Sequence, residues 1–381
     1  MSLPNPMTSA NLSSEIPGGT GDRAAAILMQ SRRAYTVCAL DFEKNKQDVL
    51  NVWRNSGFGI PESKYSWMYE GNPHGRAIGR LVLDKNDEVV GMAALFPRGL
   101  RIDGNSQAAA AIVGDFVIAR EHRSLGPALM LQKALIESQK KHHVGLVYGF
   151  PNQQAEAVLQ KAGYRFIGNT IRLTRPLRSH YYLSRKISAG RLSKVLAGIV
   201  DPILHWTAKE IRYKTNSRLK SERLVDFDER FNDFWARCAF PGLIVGERNS
   251  AYLRWRYTHC LHKNYRIDAV TDGLTRDILG YVVWYAAGSS VYIAELWEDG
   301  KEGVMDCLLS EFLRFQGQHD VDSISISYLG GQALTEKLKQ YGFAIRGAEK
   351  KMFVLADPTA PWFARLASPE NWCLFEGDRD T

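Results

Sequence analysis

The segment Asp115 to Leu131, DFVIAREHRSLGPALML, constrains the fold of this chain more than any other. Phe116, Val117 and Ile118 form a short β-run. Residues 120–126 are a basic loop. Leu129, Met130, Leu131, Leu135 and Ile136 then recur at helical spacing. A strand that passes through a loop of small residues into a helix aims the helix N-terminus and its free N–H groups at one point. Such a point holds an anion without a metal. Arg120, His122 and Arg123 add charge there.

Further on, Val144 to Phe150 (VGLVYGF) reads as a buried strand. Asn152-x-x-Ala155 opens the next helix and Gly163-Tyr164 closes it. The pair of motifs, Arg123-x-x-Gly126-x-Ala128 and then Asn152-x-x-Ala155, one strand-helix unit apart, resembles the GNAT superfamily of acyl-CoA N-acyltransferases. The resemblance implies acetyl-CoA or another acyl-CoA as co-substrate and no metal. It implies that pantetheine pairs along Phe116, Val117 and Ile118. The pyrophosphate would lie in the loop of Arg123, Ser124, Leu125, Gly126, Pro127 and Ala128. Asn152 is either a ligand contact or a helix N-cap. One departure stands out: Leu159 occupies the place where the family often has a proton-donating tyrosine.

A chain of 381 residues exceeds one typical domain. Residues 1–33 read as a disordered leader, 34–175 as an N-terminal GNAT domain, and 176–221 as a basic amphipathic linker. Residues 222–356 read as a degenerate GNAT-like domain and 357–381 as a tail. The fold class expected is α/β (α+β), two tandem GNAT-like domains with a mixed central sheet flanked by helices. The second half repeats the first. Tyr252-Leu-Arg-Trp255-Arg-Tyr257 echoes Tyr65-Ser-Trp67-Met-Tyr69, and Gly342-Phe343 echoes Gly163-Tyr164. Its loop, Glu298-Asp-Gly300-Lys-Glu302-Gly303, sets three acids where a pyrophosphate would sit, so no CoA is expected there.

The five cysteines are scattered without a CxxC, and no apolar run reaches membrane-spanning length. A reducing, cytoplasmic location is expected. Residues 172–223 hold thirteen Lys/Arg against three acids, whereas the whole chain carries only +8. A nucleic-acid footprint over the whole protein is therefore not expected. Within the linker, Leu192, Val195, Leu196, Ile199, Val200, Ile203 and Leu204 make an apolar stripe. It fits an interdomain helix, and alternatively a peripheral membrane contact through 191–206. Oligomeric state cannot be read from these features.

Acyl transfer to an amine needs a positioned thioester, a base and an oxyanion donor. Asp115 is the expected base and Tyr148, on the neighbouring strand, the expected acid. The N–H of Val117 or Ile118 is the expected oxyanion donor. The acceptor expected is a small amine; an amino sugar of a polysaccharide precursor is favoured by the basic linker and by the tail, Trp372 followed by Glu376-Gly-Asp378-x-Asp380, which resembles tails of tandem GNAT-like proteins of polysaccharide gene clusters. Two alternatives stay open: a FemAB-like transferase using aminoacyl-tRNA, and a non-catalytic tandem scaffold.

Overall fold

The computed structural model describes residues 27–31, 34–57, 60–104, 106–178, 208–214 and 216–380. The first half begins with β1 (Thr36–Ala39) and α1 (Lys46–Ser56), which buries Val49, Leu50, Val52 and Trp53. Asp41 accepts the N–H groups of Glu43 and Lys44, but in a turn before the helix rather than as its N-cap. Tyr65–Glu70 is a π-helical turn with Tyr65, Trp67, Met68 and Tyr69 buried. The antiparallel strands β2 (Ile78–Leu83), β3 (Val89–Ile102) and β4 (Ser106–Ile118) follow. Then come α2 (Leu125–Lys141), β5 (Leu146–Gly149), α3 (Gln153–Ala162) and β6 (Arg165–Pro176). Residues 27–31, within the expected leader, are helical, and Leu28 is buried.

The second half runs α4 (Lys209–Arg212), β7 (Leu219–Leu224), α5 (Arg230–Arg237), β8 (Ile244–Gly246) and α6 (Ser250–Leu253). The helix α6 continues into a second π-helical turn, Arg254–Thr258. After it come β9 (Arg266–Asp272), β10 (Ile278–Ala287), β11 (Ser290–Glu298), α7 (Val304–Gly317), β12 (Ser323–Gly330), α8 (Gln332–Gln340), β13 (Ala344–Ala356) and β14 (Trp372–Leu374). Most of the linker lies outside the described residues, so neither reading of its apolar stripe can be placed.

The strands join in one sheet of order β1-β2-β3-β4-β5-β13-β6-β12-β11-β10-β9-β7. Read from either edge, the order is the same with β1 matched to β7, β2 to β9, β3 to β10, β4 to β11, β5 to β12 and β6 to β13. The midpoint falls between β13 and β6, and there the halves interlock. The last strand of the second half, β13, pairs with β5 of the first. The last strand of the first half, β6, pairs with β12 of the second. Each half thus supplies the strand that covers the other's open flank, and no unpaired N–H ladder is left in the middle of the molecule.

The two π-helical turns meet across this pseudo-dyad. Trp67 donates Nε1–H to the Trp255 carbonyl at 2.7 Å, and Trp255 returns the bond to the Trp67 carbonyl at 2.8 Å. Their rings lie 5.4 Å apart. Both indole donors are thereby satisfied in a buried place, where an orphaned one would cost about 1–3 kcal/mol. The echo seen in sequence is a reciprocal interface.

Residues 34–178 expressed alone lack β13 and the Trp255 partner. They are expected to show no cooperative thermal transition by scanning calorimetry, while the full chain does. A sharp independent melt of that fragment would show the exchange to be dispensable.

Candidate active site

Strands β4 and β5 pair in parallel only from Ala110↔Leu146 to Ile112↔Tyr148 and then diverge. The divergence opens a cleft of 430 Å³. One wall is Phe116, Val117 and Ile118. The other is Asn152, Gln154, Ala155, Ala157 and Val158. Arg123, Ser124, Leu125 and Ala128 form the mouth. Of the expected contacts, only Gly126 and Pro127 are not on its surface; Gly126 is instead backed by Ser31.

The cleft suits a long anionic thioester. At the mouth, Ser124 occupies the N-cap position of α2 without a side-chain capping bond. The first-turn N–H groups, which have no partners within the helix, are left for a ligand. Pro127 is tolerated because it sits in that same first turn. Arg123 is anchored by its Nε–H to the Ile118 carbonyl at 3.0 Å. Asn152 caps α3 by accepting the Ala155 N–H at 2.9 Å and also lines the cleft, so both of its expected roles coexist. Ala119 donates its N–H to Val90 of β3. By strand alternation the backbone of Val117 also faces β3, which turns Ile118 and Phe116 toward the cleft. Of the two expected oxyanion donors, Ile118 has the suitable orientation.

A bulge interrupts β4 beside this wall. Met92 pairs with Val117 but Ala94 with Gly114, so Asp115 and Phe116 share one opposing residue. Asp115 takes a positive φ of 47°. That conformation costs about 1–3 kcal/mol unless its surroundings hold it. Here they do: Oδ1 accepts from Lys64 Nζ at 2.7 Å and Oδ2 from the Tyr69 hydroxyl at 2.8 Å. Burial alone would lower the Lys64 pKa, but Asp115 and Asp380 outweigh it and raise it, so the ammonium is retained. Tyr69 is pushed well above its ordinary value, first by burial and then by Asp115.

The tail completes the site. Strand β14 pairs with β12 on one side and with β8 on the other, and β8 extends β3. Beyond β14, Asp378 is buried between Arg98 of the first half and Arg248 of the second. Burial would raise its pKa, yet the two guanidinium groups hold the carboxyl below its ordinary value. Two residues later, Asp380 packs on the Asp115 bulge; a Cβ on Gly114 would come within 2.5 Å of its Oδ2. Burial raises the Asp380 pKa, Lys64 opposes the rise, and Asp115 adds to it.

Tyr148 lies on β5, the strand beside β4, as expected, but its side chain does not line the cleft, so it cannot serve as the acid there. It is fully buried on the face opposite the cleft, between Phe150 and Trp372, whose ring centroids lie 6.2 and 6.1 Å away. Only Val147, its neighbour, faces the α2–α3 core. Burial raises the Tyr148 pKa, with Asp378 adding to the rise. A strand alternates its faces, so a one-residue offset moves a side chain to the wrong side. Leu159 packs into the same core as Leu131 and Leu135 and does not line the cleft.

The second half repeats this geometry with other residues. A bulge on β11 falls between Val283↔Glu295 and Trp284↔Ile293. Glu295 accepts from the Tyr257 hydroxyl at 2.6 Å, as Asp115 does from Tyr69. Arg248 pairs with Glu295 at 3.0 Å. Gly377 of the tail fills the space above, so close that a Cβ there would strike Tyr257 and Glu295. Lys64 and Glu295 were not singled out in the sequence; Tyr69 was named only as part of the repeated aromatic cluster, and Asp380 only as part of the tail motif. Aligning the repeated Trp-x-Tyr clusters and the strands that follow would have given Tyr69 and Glu295 their roles; no local signal marks Lys64.

Residues 42–167 match the family model described as an acetyltransferase (GNAT) domain. No curated protein matches the chain in sequence. Among solved structures it is similar to a probable N-acyltransferase of Enterococcus faecalis V583, a conserved protein of unknown function. The TM-score is 0.62 at 12% identity, over 84% of this chain and 72% of that one. A GCN5-related N-acetyltransferase from Anabaena variabilis ATCC 29413 gives 0.59 at 17% identity with the same coverage. A tandem GNAT protein from the clavulanic acid biosynthesis pathway gives 0.50 at 12% identity, over 86% of this chain and 100% of that one. Residues 42–167 are thus similar to a GNAT acetyltransferase domain, and the fold of the chain is the one seen in its GNAT structural neighbours, a tandem GNAT protein among them.

Replacing Asp378 by Ala leaves the buried Arg98 guanidinium without a carboxylate and Arg248 with Glu295 alone. The expected loss is about 3–5 kcal/mol in denaturant unfolding. An effect below about 1 kcal/mol would mean the tail is not locked by this pair.

Proposed function

We propose that this protein is an acyl-CoA-dependent N-acyltransferase with one working site, in the first half, acting on a small amine. The observation that carries the reading is the meeting of three elements at one bulge: the open cleft, the Lys64–Asp115–Tyr69 cluster and Asp380 of the tail. The mouth of α2 and Arg123 would hold the pyrophosphate. Phe116 and Ile118 would pair with pantetheine, and the Ile118 N–H would meet the developing oxyanion. An acyl-CoA bound there supplies the activated carbonyl.

Two carboxylates lie at the reacting end. Both oxygens of Asp115 already accept hydrogen bonds. Asp380, with its raised pKa, is better suited to take the amine's proton near neutral pH. The base assigned from sequence, Asp115, would then position Lys64 and Tyr69 and hold the bulge. The amino-sugar acceptor of a polysaccharide precursor remains part of this proposal and rests on the resemblance of the tail.

The aminoacyl-tRNA alternative draws on the basic segment. Within it, Arg172, Arg175, Arg178, Lys209 and Arg223 are each engaged by an acid of the protein itself. That favours a structural use of those charges over a nucleic-acid partner.

Acetyl-CoA titrated calorimetrically into the protein should bind, and Arg123→Glu should weaken binding by tenfold or more, about 1.4 kcal/mol. Unchanged binding would remove the loop from the site. In a thiol-release assay over an amine panel, Asp380→Asn should lower kcat by about 10²–10⁴-fold. Wild-type activity should rise with pH through a group titrating above the ordinary carboxylate value of 3.8, since the base works only once deprotonated. Asp380→Asn should abolish that limb. A limb that survives in this variant and disappears in Asp115→Asn would return the role of base to Asp115.

A further inference from the structure

The second half has a cleft in the place corresponding to the first. Strands β11 and β12 pair from Ser290↔Ser323 to Ile293↔Ile326 and then diverge. Beyond that point lies a space of 580 Å³ between the end of β11 and α8. Leu296, Trp297 and Glu298 stand where Phe116, Val117 and Ile118 line the first cleft, and Leu334 stands where Ala155 does.

Its chemistry is inverted. At the N-terminus of α7, where the first half leaves N–H groups for a phosphate, the Glu298 carboxylate accepts the Met305 N–H at 3.0 Å. An anion has no place there. The other charges are occupied: Lys337 pairs with Asp306 at 2.9 Å, and Asp299 has Lys301 at 3.2 Å and Arg237 at 3.9 Å. Among the described residues no ion pair reaches Glu298. Burial raises its pKa, so a cation beside it would be favoured. The remaining lining is apolar and aromatic. Trp297, Phe240 and Phe375 stand together, with ring centroids 5.2 and 5.3 Å from that of Trp297. Phe375, itself buried, lines the inner part of the space.

We infer that this second cleft binds a small organic amine, with its ammonium on Glu298 and its apolar body against Trp297, Phe240, Met305 and Leu334. Charge complementarity at Glu298 and the aromatic wall select that class, and the same carboxylate rejects CoA. The assignment does not depend on acyl transfer in the first half.

The test is methyl-resolved NMR of the full chain titrated with phenethylammonium, with neutral N-acetylphenethylamine as control. Met305 and Leu334 methyls should shift saturably, while Leu125 and Val158 of the first cleft stay unmoved. Glu298→Gln should weaken binding about tenfold or more, as expected for losing a charged hydrogen bond, and leave the Leu125 and Val158 signals native. Leu334→Trp, which fills the space, should abolish the shifts. The proposal is overturned if Met305 and Leu334 do not respond, if Glu298→Gln binds as tightly as the native protein, or if the neutral control binds equally well.

Discussion

The pairing of β13 with β5, and its counterpart between β6 and β12, supports everything else in this molecule. A parallel pair that must diverge to admit a ligand weakens its own sheet at that point. Strand β5 is only four residues long, and it pairs with β4 through three of them. Its other flank would be an exposed ladder if the half stood alone. A strand from the opposite half closes it, so the cleft can stay open without the sheet coming apart. The ion-pair lock on Asp378 and the reciprocal tryptophans are built across the join that this exchange creates.

Near-symmetry of backbone did not preserve symmetry of chemistry. Both halves keep a tyrosine from a π-helical turn bonded to a carboxylate on a bulge. In the first half a lysine shares that carboxylate. In the second an arginine pairs with it and the tail fills the space above. The clefts diverge in the same manner: at one, no side chain caps the helix N-terminus, whereas the other satisfies it with Glu298. Single residues at matched positions suffice, because a buried charge is decided by its one or two nearest partners. The tail crosses from Glu295 of one half to Gly114 of the other, so one short segment touches both sets of carboxylates.

Much of the cleft was legible in sequence. Small residues in the Arg123–Ala128 loop, the Asn152 cap and the β-run before them act locally, and local signals survive in a linear reading. Eight of the ten expected contact residues line the cleft. Tyr148 failed because alternation along β5 places it on the other face, which the four-residue strand does not reveal without its neighbours. Lys64 was missed, and Asp380 was seen only as part of a tail motif, for another reason. Each comes to the bulge across a long span of chain, Lys64 by an ion pair with Asp115 and Asp380 by packing on Gly114.

By itself, the sequence determined the strand-loop-helix units, the duplication, the fold class and the lining of the first cleft. These follow from periodicity, glycine placement and charge within a few residues of one another. Tertiary structure alone decided that the halves exchange their last strands, that the tail runs between two active-site-like bulges, and that Asp115 already has two partners. Those outcomes depend on which surfaces lack partners once the local elements exist, a property of the assembled sheet and not of any segment.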